Sequence, residues 1–176
     1  MDKKELIYKK GMEVCCVKNK DWLFSDKKFI CAFRSVGVLI KDDKILVQRD
    51  KDGTEYALPG GYVLVGETSE TSIIREYKEE TGTDIICGRM IWVEENFWKW
   101  GEKDAHTIAF YYLVALKDGS DIPDNGEFFS QKDNCNVVLK WMSIDEIGGL
   151  TIYPTFLKDK IRNISDGIEH FVYNEL

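Results

Sequence analysis

The apolar positions along the chain change period several times, and each change marks an element. Residues 29–40 and 44–49 are rich in β-branched and aromatic side chains and are separated by Lys41-Asp42-Asp43, the pattern of two strands joined by a turn. After the break at Asp52-Gly53, a short apolar piece over 56–58 runs into Pro59-Gly60-Gly61. The proline disfavours helix before it and the glycines let the backbone turn sharply, so a strand end leading into a loop is expected. Residues 68–81 contain no Gly or Pro, open with Thr68-Ser69-Glu70 as cap and first turn, and meet Gly82 as a stop. This segment is predicted to be a helix, seated on a sheet by the narrow apolar stripe of Ile73, Ile74 and Tyr77. Further strands are expected over 85–93, 107–116 and 137–142. Pro154 ahead of 155–166, with Phe156, Leu157, Ile161 and Ile164 at helical spacing and Gly167 beyond, predicts a second helix. The order of elements implies an α/β sheet with helices packed on it.

The 176 residues are 44% hydrophobic, enough for one substantial core, and show no repeat or low-complexity segment. A single domain over 1–176 is expected, with a core of about 29–166 and an N-terminal extension over 1–28. The net charge of −7 leaves no general basic field, so duplex nucleic acid is not an expected partner. The longest apolar run, 108–116, falls short of the roughly 20 residues of a membrane helix. No apolar segment follows Met1-Asp2-Lys3-Lys4-Glu5, so no secretory signal is expected and the location should be cytoplasmic. Cys15, Cys16, Cys31, Cys87 and Cys135 are an odd number without paired C-x2-C spacing, and are expected to be reduced, mostly packed thiols.

Charge changes the picture within the first helix. Glu76, Glu79 and Glu80 fall at i, i+3 and i+4, so three carboxylates share one face. Like charges at that spacing cost about 0.2–0.5 kcal/mol per pair, whereas an ordinary solvated face mixes signs. Arg75 can reach Glu79 one turn on, but it cannot neutralise three carboxylates, and Lys78 points to another side. A bound cation is the natural remainder. All the donors are hard oxygens without interleaved His or Cys, which favours Mg2+, with Mn2+ as a substitute, over zinc or copper. Mg2+ usually combines a few carboxylates with substrate phosphates, so this face is expected to be an active site for a phosphorylated substrate.

The residues Gly61, Glu67, Arg75, Glu76, Tyr77, Glu79, Glu80 and Gly82 resemble the Nudix box of the Nudix (MutT-like) hydrolases, G-x5-E-x7-R-E-U-x-E-E-x-G-U. Only the last hydrophobic position departs, holding Thr83. A chance match to the seven fixed letters in a chain of this length is on the order of one in a million. Ala57-Leu58-Pro59-Gly60-Gly61 and the strand order around it also look like a Nudix domain. The resemblance implies an α/β/α sandwich with a mixed β-sheet, and hydrolysis of the pyrophosphate bond in a nucleotide or a nucleoside diphosphate linked to another moiety. By position, Glu76, Glu79 and Glu80 would ligate Mg2+, with the Gly60 carbonyl as a further ligand, and Arg75 would orient the carboxylates. Gly61, Glu67 and Gly82 would be structural members of the box, with Glu67 near Arg75. The Thr83 departure touches no ligand, so activity should survive it.

Water is the expected nucleophile and a carboxylate its proton acceptor. Glu76 is the first candidate. Glu127 and Asp133, in the polar connection 117–136, are the loop alternatives as base or ligand. Phe97, Trp98 and Trp100, placed in a loop between strands, could stack a base or cover a sheet edge. Arg34 and Arg49, on or beside the early strands, are candidate phosphate contacts. His106 is expected at a strand edge, and His170 in a packing or capping role. Cys15-Cys16 and Trp22-Leu23-Phe24 suggest an added strand or pairing edge in the N-terminal segment, one that a homodimer could use. The competing class is a regulatory module that senses a nucleotide without turnover, against which the complete carboxylate set argues. A prenyl diphosphate isomerase would need a further catalytic Cys and Glu, and no such pair is identifiable.

Overall fold

The computed structural model describes residues 21–132 and 136–176. In chain order these form β1 (Leu23–Ser25), β2 (Phe29–Lys41), β3 (Lys44–Asp50), β4 (Tyr56–Ala57), β5 (Gly60–Tyr62), α1 (Ser69–Thr81), β6 (Ile85–Trp100) and β7 (Lys103–Leu116). They continue with β8 (Phe128–Phe129), β9 (Val137–Ser143), a 3-10 turn (Ile147–Gly149), β10 (Ile152–Tyr153), α2 (Leu157–Lys160) and β11 (Glu169–Asn174). The strands join in one mixed sheet ordered β10-β4-β3-β2-β7-β6-β11, with β1 and β5 also on β2, and β9 bridging β3 and β8. β2 runs parallel to β7, with Phe29 opposite Asp104 and Leu39 opposite Val114. β6 and β7 are antiparallel, and β11 lies parallel to β6.

Alternation along each strand sends neighbouring side chains to opposite faces and produces two apolar layers. Val36, Val38, Ile45, Val47, Ala109 and Tyr111 pack with Leu157 and Ile161 on one side. Leu39, Leu46, Tyr112 and Val114 pack with Ile73 and Tyr77 of α1 on the other. The sheet is thus covered by α1 on one face and by the α2 segment on the other.

Several expectations need correction. The second helix is one turn long and does not run over 155–166. Leu157 and Ile161 do enter the core, but past Lys160 the backbone tightens into a turn in which the Asn163 N–H donates to the Lys160 carbonyl at 3.1 Å, and the chain leaves the helix. The aromatic cluster is not in a loop. β6 continues through Phe97, Trp98 and Trp100, and the turn at Gly101-Glu102 (φ 60° at Gly101) leads directly into β7. His106 therefore sits inside β7 with Phe97 stacked on it at 4.2 Å, and His170 lies in β11, its Nε2 2.9 Å from Glu95. Ile74 is exposed, outside the buried stripe of α1.

The N-terminal part does add a strand, β1 on β2, while Cys15, Cys16 and Cys135 lie outside the described residues. Cys31 and Cys87 are free thiols, and burial pushes Cys87 up to about 11, which keeps it protonated and unreactive near neutrality. Among the described residues no helix is long and apolar enough to cross a membrane.

Candidate active site

Helix α1 is fixed before its acids come into play. The Thr68 hydroxyl accepts from the Thr71 N–H at 3.1 Å as N-cap, and Gly82 closes the helix at φ 72°. The Ser35 hydroxyl donates to the Ser69 carbonyl at 2.7 Å, and the buried Tyr77 hydroxyl donates to the Gly37 carbonyl at 3.2 Å. These bonds hold α1 against β2. They also turn part of its acidic face inward: Glu76 is 2% and Glu80 4% exposed, while Glu79 stays open to solvent.

Arg75 organises this face. Its Nε and Nη2 donate to the two oxygens of Glu67 at 2.9 Å each, a bidentate pair, and Nη2 also reaches the Tyr62 carbonyl. Its Nη1 donates to Glu76 at 2.6 Å and Glu79 at 3.2 Å. The hydrogen bonds it donates to Glu67, outweighing burial, raise the Arg75 guanidinium above its ordinary value. Burial opposes ionisation of Glu67, but the bonds from Arg75 and from the Leu64 N–H prevail and hold its carboxyl below the usual range.

The turn ahead of α1 fits closely around Glu76. A Cβ added to Gly61 would lie 2.3 Å from the Glu76 carboxylate carbon, and one added to Gly60 (φ 151°) would lie 2.3 Å from the Ser35 carbonyl oxygen. Only glycines allow β5 to approach β2 and the carboxylate together. The Gly60 carbonyl accepts a long hydrogen bond from Arg34 Nη2, at 3.4 Å.

Lys132 is the site residue that sequence reasoning missed. Its ammonium lies 2.5 Å from Glu76 and 3.0 Å from Glu79. The loop reaches the helix because the Gln131 N–H donates to the Glu80 carbonyl at 2.8 Å. Burial opposes the lysine's charge, yet the two carboxylates raise it above its ordinary value. Lys132 stood in the polar run before Cys135, and nothing in its spacing ties it to residues more than fifty positions earlier.

The ammonium bridging two carboxylates shows that Glu76 and Glu79 converge on one cationic position. Among the described residues no three His, Cys, Asp or Glu side chains form a ready metal cluster in this conformation. The donor set is all oxygen, with Glu80 and the Gly60 carbonyl on the adjoining backbone, and it fits a hard divalent cation taking the place of the lysine.

Arg34, which donates to the Gly60 carbonyl, also lines a cavity of about 410 Å3, together with Leu58, Glu94, Asn96, Trp98 and Tyr111 among others. Of the aromatic candidates, Trp98 lines it, Trp100 stacks on Trp98 at 5.6 Å, and Phe97 alternates to the other face of β6. Arg49 and Glu127 lie apart from this cavity and are paired with each other at 2.8 Å. Asp133 lies outside the described residues. Thr83, where the motif departs, is buried with its hydroxyl donating to the Asp121 carbonyl at 3.1 Å, so the polar substitution carries its own partner.

Comparison with known proteins gives the family of the chain. Residues 32–163 match the NUDIX domain, and the chain belongs to that family. An ADP-ribose pyrophosphatase of Methanocaldococcus jannaschii is 49% identical over 103 residues, which cover 53% of this chain and 58% of that protein. The chain therefore spans less than two thirds of that relative's length. The uncharacterized Nudix hydrolase YvcI of Bacillus subtilis is 29% identical over 117 residues, covering 66% and 69% of the two chains. Among solved structures, the MutT protein of Bacillus halodurans superposes with a TM-score of 0.57 at 17% identity, covering 82% of this chain and 91% of the other, a likeness of fold.

Proposed function

We propose that the protein hydrolyses a phosphoanhydride bond in a nucleoside diphosphate linked to a further moiety, in a reaction dependent on Mg2+ or Mn2+. The observation that carries this reading is the convergence of Glu76 and Glu79 on one cationic position, beside the Gly60-Gly61 turn. Glu76, Glu79, Glu80 and the Gly60 carbonyl would hold the cation. When bound, Mg2+ supplies positive charge to the phosphate oxygens and eases departure of the leaving oxygen.

The chain's own residues set the stage for this. Arg75, fixed by Glu67, holds Glu76 and Glu79 in register. Glu76 has Oε1 engaged by Arg75 and Oε2 by Lys132, so it accepts a proton from the attacking water only after Lys132 has moved away. The freed ammonium can then follow the substrate's phosphates, a point charge suited to them. Arg34, beside the Gly60 carbonyl, stands between the carboxylates and the neighbouring cavity, which would take the nucleoside.

The test is product release from a panel of nucleoside diphosphate derivatives with Mg2+, Mn2+ or EDTA. ADP-ribose goes first, because the Methanocaldococcus relative is an ADP-ribose pyrophosphatase. Turnover that requires the cation supports the reading. Saturable nucleotide binding without turnover would replace it with a sensing module.

A further inference from the structure

The cavity lined by Arg34 is polar in an unusual way for a site that serves a polyanion. Alternation places Glu94, Asn96 and Trp98 of β6 on the same face as Thr107, Ala109 and Tyr111 of β7. Glu94 is 5% exposed, and its Oε2 accepts from the Tyr111 hydroxyl at 2.6 Å. Tyr111 is itself buried, packed edge-on against Trp92 and Phe156, so the carboxyl it holds has a fixed direction. Asn96 Oδ1 and Arg34 Nε are buried with no hydrogen-bond partner among the described residues. Buried polar atoms are nearly always partnered, so a cavity wall carrying two that are not is a wall completed by a ligand.

The chemistry of that ligand follows from the wall. The Glu94 carboxyl and the Asn96 amide oxygen accept hydrogen bonds and Arg34 Nε donates one, so the complementary edge carries N–H donors next to an acceptor. A phosphate placed here would meet Glu94 at close quarters, and the diphosphate is kept to the Gly60 end of the cavity. Leu58, Ala109 and the Trp98 ring supply apolar surface, with Trp98 held by its stack on Trp100, which suits a flat ring better than a sugar. We infer that this cavity reads the hydrogen-bonding edge of a nucleobase, with Glu94, held by Tyr111, as the residue that selects a base bearing an exocyclic amine. The inference rests on the hydrolase reading for its substrate. Burial pushes the Glu94 carboxyl above its ordinary value, against the Tyr111 hydrogen bond and the Arg34 charge, which both work the other way.

The experiment compares ADP-ribose with its hypoxanthine counterpart, in which the 6-amino donor becomes an oxo acceptor and the N1 acceptor becomes an N–H donor, so both features of the edge are reversed. Wild-type protein is expected to prefer the amino base by about tenfold or more in kcat/KM. Glu94→Gln and, independently, Asn96→Ala should each reduce that preference to under about threefold, with the loss falling on KM for the amino substrate. Binding of AMP and IMP, read by tryptophan fluorescence, reports the same preference without turnover and covers a variant too weak to assay. A wild type that turns over or binds both equally, or folded variants that keep the preference, would overturn the selector. Absence of any cation-dependent turnover, with AMP still preferred over IMP, would instead overturn the hydrolase reading and leave the base selector standing.

Discussion

Glu79 and Glu80 are neighbours in the chain and differ in what surrounds them, solvent for the first and protein for the second, and the proposed function makes both of them ligands of the cation. Glu79→Gln and Glu80→Gln should each abolish Mg2+-dependent turnover while leaving the circular dichroism spectrum and chromatographic behaviour of the protein unchanged. Wild-type rates in either folded variant would defeat the assignment of these residues as ligands. Glu67 makes a different prediction, because its part is to hold Arg75. Its carboxyl titrates below the ordinary value of 4.5 in the folded protein, so the stability it contributes is complete above that value and is lost as pH falls through the folded pKa. Glu67→Gln should cost about 1–2 kcal/mol at neutral pH. The gap in melting temperature between wild type and variant should close below pH 4.5, and a gap constant down to pH 3 would show that the pair is not the cause. Lys132 marks where residue-level reading of the sequence ends: the surplus of negative charge on α1 was evident from spacing, but the lysine that meets it comes from a loop, and loops carry no period that announces their contacts.

Helix α1 depends on its ends as well as its face. Thr68→Ala removes the N-cap hydrogen bond and should lower stability by about 1 kcal/mol, read as a shift in the urea midpoint with the slope unchanged. Gly61→Ala should act on function more than on fold, since the added methyl meets the Glu76 carboxylate, and turnover should fall at least tenfold. A variant as active as wild type would show that the turn has room to spare. The elements with strong local signals, β2, β3, α1 and β9, were legible within a residue or two of their ends because apolar period, caps and glycines agree there. The sequence pattern ends β6 at 93 because Glu94, Glu95 and Asn96 look like loop residues, though they lie within the strand. The reach of α2 was overstated for the converse reason: its apolar spacing is real and serves contact with the core, while the backbone beyond Ile161 leaves the helix. Sequence pattern reports which side chains are buried more directly than which backbone holds them.

Over the whole molecule, the charge of −7 opposes the approach of a diphosphate. Added salt should therefore raise kcat/KM modestly, by no more than about threefold between 20 and 150 mM, before screening of Arg34 and Arg75 takes over at higher ionic strength. A rate that falls from the lowest salt onward would mean that local cations govern encounter and that the global charge does not. The parallel pairing of β2 with β7 also sets an order of construction. As the chain leaves the ribosome, β2 and the acids of α1 are made well before Asp104 to Val114, the strand that completes the middle of the sheet. Lys132 emerges later still. A nascent chain thus carries its clustered carboxylates on an unfinished bed until Lys132, the lysine that meets them, has been made.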